Sequence, residues 1–173
     1  HHENEIAQNY CLHDDFLANY WVHNARLDLR GEKMSKSLGN VVWLKDIIVE
    51  YHPNAFRLAI LANHYRQVIN YQDDMMRQMQ GEWEKIEKLY ISFYRNLELK
   101  NALNIGEKIE IIDDFLNEMA YDFNTANAIT HLYSLMKKMN SDIRRPDTDV
   151  KILADEFKTY QDMLYILGIE VDL

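Results

Sequence analysis

Between residues 71 and 99, apolar and aromatic side chains return every three or four positions: Met75, Met79, Trp83, Ile86, Leu89, Tyr90, Phe93 and Leu97. That spacing puts them along one face of a long helix. A methionine and aromatic stripe at this period is packing surface, so the helix needs other helices to cover it. The flanking chain supplies them. Helices are expected over 45–51 and over 54–65, the second started by Pro53, with Phe56, Ile60 and His64 on one stripe and Leu58, Leu61 and Tyr65 on the next. After a break at 101–106, another begins at 111–118, and a further one runs to Met139 with Asn124 or Thr125 as its N-cap. A polar connection containing Pro146 leads to a last helix over 150–167, closed by Gly168. Only five glycines and two prolines interrupt 173 residues, which favours helices over a glycine-rich β fold. From about residue 45 onward the chain is expected to be almost entirely helical.

The first part of the chain reads differently. Residues 25–30 alternate in part, with Leu27 and Leu29 set against Arg26, Asp28 and Arg30, which suits a short half-buried strand or hairpin before Lys33. Gly31 then turns the chain into Gly31-Glu32-Lys33-Met34-Ser35-Lys36-Ser37-Leu38-Gly39-Asn40. Two lysines, two serines and two glycines in ten residues can bend around an anion and meet it with ammonium groups, hydroxyls and backbone N–H groups. A plain surface turn has the same composition. At the start, His1 and Glu5 are four apart and on a helix would share a face able to reach one cation. Two ligands do not close a tetrahedral zinc site, and a tag remnant or a solvated pair fits the spacing as well. His23 reads as a core or hydrogen-bonded histidine, and Arg57 and Arg66 as candidates for RNA phosphate.

Composition excludes some functions. No run of about 18 apolar residues is present to span a membrane. The single Cys11 has no internal disulfide partner, which fits a reducing cytoplasm, and no signal-peptide pattern opens the sequence. The net charge of −9 argues against nucleic acid at first sight. Residues 1–70 nevertheless hold seven Lys/Arg against eight Asp/Glu, while 71–173 hold twelve against twenty. A near-neutral part can present a local basic surface, because charges beyond about 10 Å are screened.

Lys33-Met34-Ser35-Lys36-Ser37 resembles the KMSKS signature of class I aminoacyl-tRNA synthetases. His1-His2-Glu3-Asn4-Glu5-Ile6-Ala7-Gln8 is similar to a block that lies shortly before that loop in cysteinyl-tRNA synthetases. The Trp21-Val22-His23-Asn24 stretch, followed by Ala25 where members more often have glycine, and the Asp122-Phe123-Asn124-Thr125 block complete four resemblances in the family's order.

The resemblance implies a mainly α fold. Residues 1–70 would form the end of a class I Rossmann-type catalytic core with a short strand or hairpin and the KMSKS loop, and 71–173 a DALR-type helical bundle. It implies a cysteine–tRNA ligase that activates L-cysteine with ATP and magnesium and transfers it to the 3′ end of tRNA(Cys) in the cytoplasm. Lys36 would contact ATP, Lys33 would support it, and Ser35 and Ser37 would offer hydroxyls. His1 and Glu5 would bind a zinc that recognises the cysteine side chain. The nucleotide-binding half with the HIGH signature, the remaining zinc cysteines and the anticodon-binding domain do not fall within these residues, so this portion alone is expected to be inactive. A cysteine ligase of thiol biosynthesis sharing the core, and a non-catalytic RNA-binding helical module, are the alternatives.

Overall fold

The computed structural model describes residues 2–35, 37 and 39–173; His1, Lys36 and Leu38 lie outside the described residues. Helix α1 (Glu3–His13) has Glu3 and Glu5 in its first turn, where unpaired N–H groups favour carboxylates. It ends at Asp14, whose left-handed backbone (φ 52°) sends its N–H to Tyr10 O at 2.8 Å. No residue of α1 is buried. An exposed stretch leads to β1 (Leu27–Leu29), which returns through Arg30 and Gly31 into β2 (Glu32–Lys33). Both turn residues have positive φ, 53° and 84°, the geometry whose twist suits a two-residue hairpin turn. This is the short hairpin expected before the loop.

Helices α2 (Leu44–Glu50) and α3 (Pro53–Leu61) follow. Pro53 occupies the first helical position of α3, and His52 Nδ1 accepts the Asn54 N–H at 3.1 Å. Helix α3 stops at Leu61, short of the expected 65, so His64 and Tyr65 belong to no helical stripe. They lead instead to β3 (Ile69–Tyr71), which lies parallel to β1 with Leu27 opposite Ile69 and Leu29 opposite Tyr71. The sheet order is β2-β1-β3. The sequence pattern predicts no strand here. Three residues are too few to show a period, and the pairing that makes them a strand joins positions some forty residues apart.

Helix α4 (Asp73–Leu99) is about 40 Å long at 1.5 Å per residue. Its buried stripe is Met76, Trp83, Ile86, Leu89, Phe93 and Leu97, with Met75 and Met79 only partly covered. Helices α5 (Ile111–Ala120), α6 (Thr125–Asp142) and α7 (Val150–Ile166) complete the bundle. Asn124 caps α6, its side chain accepting the Asn127 N–H at 3.2 Å, and Asp149 caps α7 through the Lys151 N–H at 2.8 Å. Helix α4 packs against α3, α6 and α7, while α5 lies on α6 and α7. At the centre, Phe93 stacks with Phe157 (centroids 6.1 Å apart), and the buried Tyr160 hydroxyl donates to Ile86 O at 3.1 Å.

Gly106 shows how closely the α4–α5 connection approaches α7. A Cβ there would sit 2.2 Å from Ala154 O, a backbone atom that cannot swing aside. Gly106→Ala is expected to cost about 2 kcal/mol of stability or more, as overpacking against main chain does, read as a lowered midpoint in urea.

Glu156 of α7 is fully buried, and its Oε1 contacts Lys138 of α6 while its Oε2 has no hydrogen-bond partner among the described residues. Burial pushes this carboxyl up to about 7, against the pull of Lys138. The folded state therefore holds a proton that the unfolded chain releases near its ordinary carboxyl value. Stability from this group is fully present below that unfolded value and is lost as pH rises through about 7. Glu156→Gln is expected to abolish this decline between about pH 4.5 and 7 and to be the more stable protein at pH 8, by on the order of 2 kcal/mol. Parallel urea titrations of the two proteins across that range measure it; identical pH profiles would contradict it.

Candidate active site at the lysine and serine loop

The loop hangs from the β1–β2 hairpin. Lys33 is the last residue of β2 and is exposed. Its Cα partner across the hairpin is Asp28, so the two side chains share a face of the sheet. Asp28 is buried, and Arg26 Nε donates to its Oδ1 at 2.7 Å. That hydrogen bond, with the charge of the carboxylate, raises the Arg26 pKa. The Asp28 carboxylate is therefore matched by Arg26, and the exposed Lys33 ammonium makes no ion pair among the described residues.

Two side-chain amides fix the ends of the loop. Asn70, on β3, accepts the Gly31 N–H on its Oδ1 at 2.7 Å. Asn40 closes the other end: its Oδ1 accepts the Ser35 N–H at 2.9 Å and its Nδ2 donates to Lys33 O at 3.2 Å. One asparagine thus ties Lys33 and Ser35 to the far end of the loop. Gly39, with φ 65°, makes the bend that brings Asn40 back. On the loop, Ser35 Oγ and Ser37 Oγ lie 3.2 Å apart and place two hydroxyls side by side. The structure therefore brings together Lys33, Ser35 and Ser37; Lys36 falls outside the described residues. Neither Asn40 nor Asn70 stood out in the sequence as a site residue. Asparagine beside a glycine at a turn is the local signal for Asn40, whereas Asn70 is tied to the loop only by the parallel pairing.

The N-terminal block is less complete. The helix that would put positions 1 and 5 on one face begins only at Glu3, and His1 lies outside the described residues. Glu5 is exposed, with its Oε2 3.8 Å from His2 Nδ1. Among the described residues no three His, Cys, Asp or Glu side chains converge as a metal would require. One described carboxylate does not amount to a zinc site, which needs three or four protein ligands. Cys11 is free and exposed. His23 is an exposed histidine stacked on His2 (centroids 4.9 Å) and on Trp21 (6.1 Å), so of the core or hydrogen-bonded role read from sequence the core half does not hold.

Of the arginines considered for RNA, only Arg66 has a carboxylate partner among the described residues. Arg66 makes two hydrogen bonds to the Asp122 carboxylate, and the Arg57 guanidinium lies beside Gly168. Between β1, β3 and the α5–α6 turn lies a largely apolar groove of about 500 Å³ lined by Val22, Leu27, Leu61, Ile69 and Phe123 among others. No helix of the described residues is long and apolar enough to cross a membrane.

The chain thus carries a small mixed sheet with a lysine and serine loop, followed by a capped helical bundle. Residues 1–81 match the family of tRNA synthetases class I (C) catalytic domains, and residues 114–171 match the DALR domain. The cysteine–tRNA ligase of Acholeplasma laidlawii is 42% identical over 159 residues, covering 89% of this chain and 36% of that protein. Those of Bacillus pumilus and Bacillus cereus (strain AH187) are each 35% identical, covering 99% of this chain and 38% of theirs. The chain belongs to the cysteine–tRNA ligase family of class I aminoacyl-tRNA synthetases, and it spans under two-fifths of the length of these curated relatives.

Proposed function

We propose that this chain is the part of an ATP-dependent cysteine–tRNA ligase that carries the phosphate-binding loop and the helical domain behind it. In the reaction, the carboxylate of L-cysteine attacks the α-phosphorus of ATP and pyrophosphate leaves. A hydroxyl at the 3′ end of tRNA(Cys) then attacks the adenylate's carbonyl carbon, forming the ester as the bond to phosphate breaks and AMP leaves. The observation that carries the reading is the lysine and serine loop itself. It has exposed side chains on a backbone bracketed at both ends, in a chain that aligns over nearly its whole length with cysteine–tRNA ligases.

Negative charge grows on the phosphates as pyrophosphate departs, so cations and donors fixed before the reaction help most at that point. Lys33 and Lys36 supply the charge in this reading, and Ser35 and Ser37 supply hydroxyl donors to an ATP that arrives with magnesium. The loop is built of strand ends and a turn, a construction that can close on substrate. Residues 1–70 serve as the end of the catalytic core and 71–173 as the helical domain that meets tRNA, in the cytoplasm. His1 and Glu5 act as two ligands of a zinc whose remaining ligands come from elsewhere in the enzyme.

In the full-length enzyme, Lys36→Ala is expected to slow cysteine-dependent ATP–pyrophosphate exchange by on the order of 10²-fold, with a much smaller change in ATP binding. An unchanged exchange rate would make Lys36 ordinary surface. For the metal, His1→Ala is expected to lower the zinc content of the full-length enzyme measured by atomic absorption, with ATP binding nearly intact. Equal zinc in the two proteins would remove His1 from the site.

A further inference from the structure

A single residue of the bundle holds three consecutive residues of the sheet region. Asp122 lies in the turn between α5 and α6. Its backbone oxygen is 3.0 Å from His64 Nε2. Its Oδ1 accepts the Tyr65 hydroxyl at 2.6 Å and Arg66 Nη2 at 3.2 Å, and its Oδ2 accepts Arg66 Nε at 2.9 Å. Around this knot, Arg66 sits 5.1 Å over the Tyr65 ring, the Phe123 ring meets Tyr65 edge-on, and Thr125 Oγ1 reaches Asn63 O at 3.4 Å.

The turn is strained to make these contacts. Asp122 and Phe123 are successive non-glycine residues in the left-handed region, with φ of 54° and 53°. Such residues cost energy and persist only where surrounding contacts over-determine them. Here main-chain bonds hold the turn, from Phe123 N–H to Met119 O and from Asn124 N–H to Glu118 O, and Glu118 Oε2 accepts from both Asn124 and Asn127 just beyond it. The Arg66–Asp122 pair is open to solvent, with side chains 64% and 42% exposed, and exposed pairs add little to global stability. What a two-pronged arginine–carboxylate contact fixes is geometry. The hydrogen bonds from Arg66 and Tyr65 also hold the Asp122 carboxyl below its usual range, so it stays ionised.

The residues it grips lead directly to the loop. Tyr65 O accepts the Ala25 N–H at 2.7 Å, and Ile69 N–H donates to Arg26 O at 3.2 Å, so the segment from 65 to 69 sets the register of β3 on β1. In that register Asn70 lies opposite Asp28 and takes the Gly31 N–H, while Arg30 N–H reaches toward Tyr71 O at 3.4 Å.

We propose that Asp122 is a positioning residue for the lysine and serine loop: by gripping residues 64–66 it fixes β3 on β1, and Asn70 thereby pins the Gly31 turn from which Lys33 and Ser35 follow. In giving that loop a substrate the proposal rests on the function above; the mechanical link does not depend on it.

Hydrogen–deuterium exchange of the full-length enzyme, read by mass spectrometry, tests the link. Asp122→Ala is expected to speed amide exchange in peptides covering 29–35 by about tenfold, with peptides from 125–142 and 150–166 unchanged. Asn70→Ala is expected to reproduce the loop effect. Asp122→Asn keeps an acceptor for Tyr65 and tolerates the left-handed backbone, so it is expected to restore most of the protection. Should Asp122→Ala loosen the bundle itself, Arg66→Ala carries the test, since this exposed residue reaches the bundle through the Asp122 carboxylate. Wild-type exchange at 29–35 in both Asp122→Ala and Arg66→Ala overturns the proposal. Pyrophosphate exchange on the same proteins separates the two readings. A lower kcat with a nearly unchanged KM for ATP supports both. A loosened loop with unaltered pyrophosphate exchange keeps the link and refutes the substrate assigned to the loop.

Discussion

Burial of the α4 stripe is the constraint on which the remaining structure depends. Strands of three, two and three residues are too short to stand alone. They persist because their neighbours lean on a helix that is itself held along its length by α3, α6 and α7. His52 stacks on Trp83 with ring centroids 4.6 Å apart, and His52 N–H donates to Gln80, so the start of α3 is keyed to the middle of α4. Tyr71, at the end of β3, is itself buried and runs through Gln72 into the first turn of α4. At about 25 cal/mol per Å² of apolar surface, six buried side chains on one helix outweigh anything the exposed ion pairs contribute. The sheet's position is therefore inherited from helix packing.

How far the sequence revealed this follows from the range of each interaction. The long helices were legible because a 3.6-residue period repeats many times over 27 residues, and the cap Asn124 acts within three positions of itself. The hairpin was legible because Gly31 marks its turn. What escaped depends on partners distant in sequence. The strand Ile69–Tyr71 exists because β1 lies beside it, and the helical stripe projected onto His64 and Tyr65 gave way because those side chains bond to Asp122. Arg66 reads as a free cation in the sequence and is a paired one in the fold. Of the site, the residue types in the loop were legible, but the two asparagines that shape it were not, since their partners are set by the return of the chain and by strand pairing.

Charge is arranged by the same packing. Some carboxylates of the bundle are paired with lysines one helical turn away, as in Lys138–Asp142, Lys151–Asp155 and Lys158–Asp162. Near the loop the pattern differs. Asp28 is occupied by Arg26, and Arg66 by Asp122, so both are withdrawn from the balance. Exposed at the hairpin end are Arg30, Glu32 and Lys33, two cations to one anion, followed by the paired hydroxyls of Ser35 and Ser37. A protein of net charge −9 can thus present a locally cationic edge, because screening hides the acid excess of the distant bundle from a ligand at the loop.

The loop's construction also suits the chemistry assigned to it. A site that must bind a polyphosphate and then release pyrophosphate needs donors that are preorganised without being rigidly buried. Helix or strand would fix the side chains but spend the backbone donors on internal pairing. Asn70 and Asn40 offer another arrangement, in which two side-chain amides stand in for ladder bonds at the points where the chain leaves and re-enters regular packing. The anchoring is done at Gly31, Lys33, Ser35 and Asn40. The Lys33 side chain stays exposed at the end of β2, and the hydroxyls of Ser35 and Ser37 lie side by side. The loop's shape is therefore governed from outside itself, by β3 on one side and by the bend at Gly39 on the other. That is why a bundle residue as remote in sequence as Asp122 has a physical route to it.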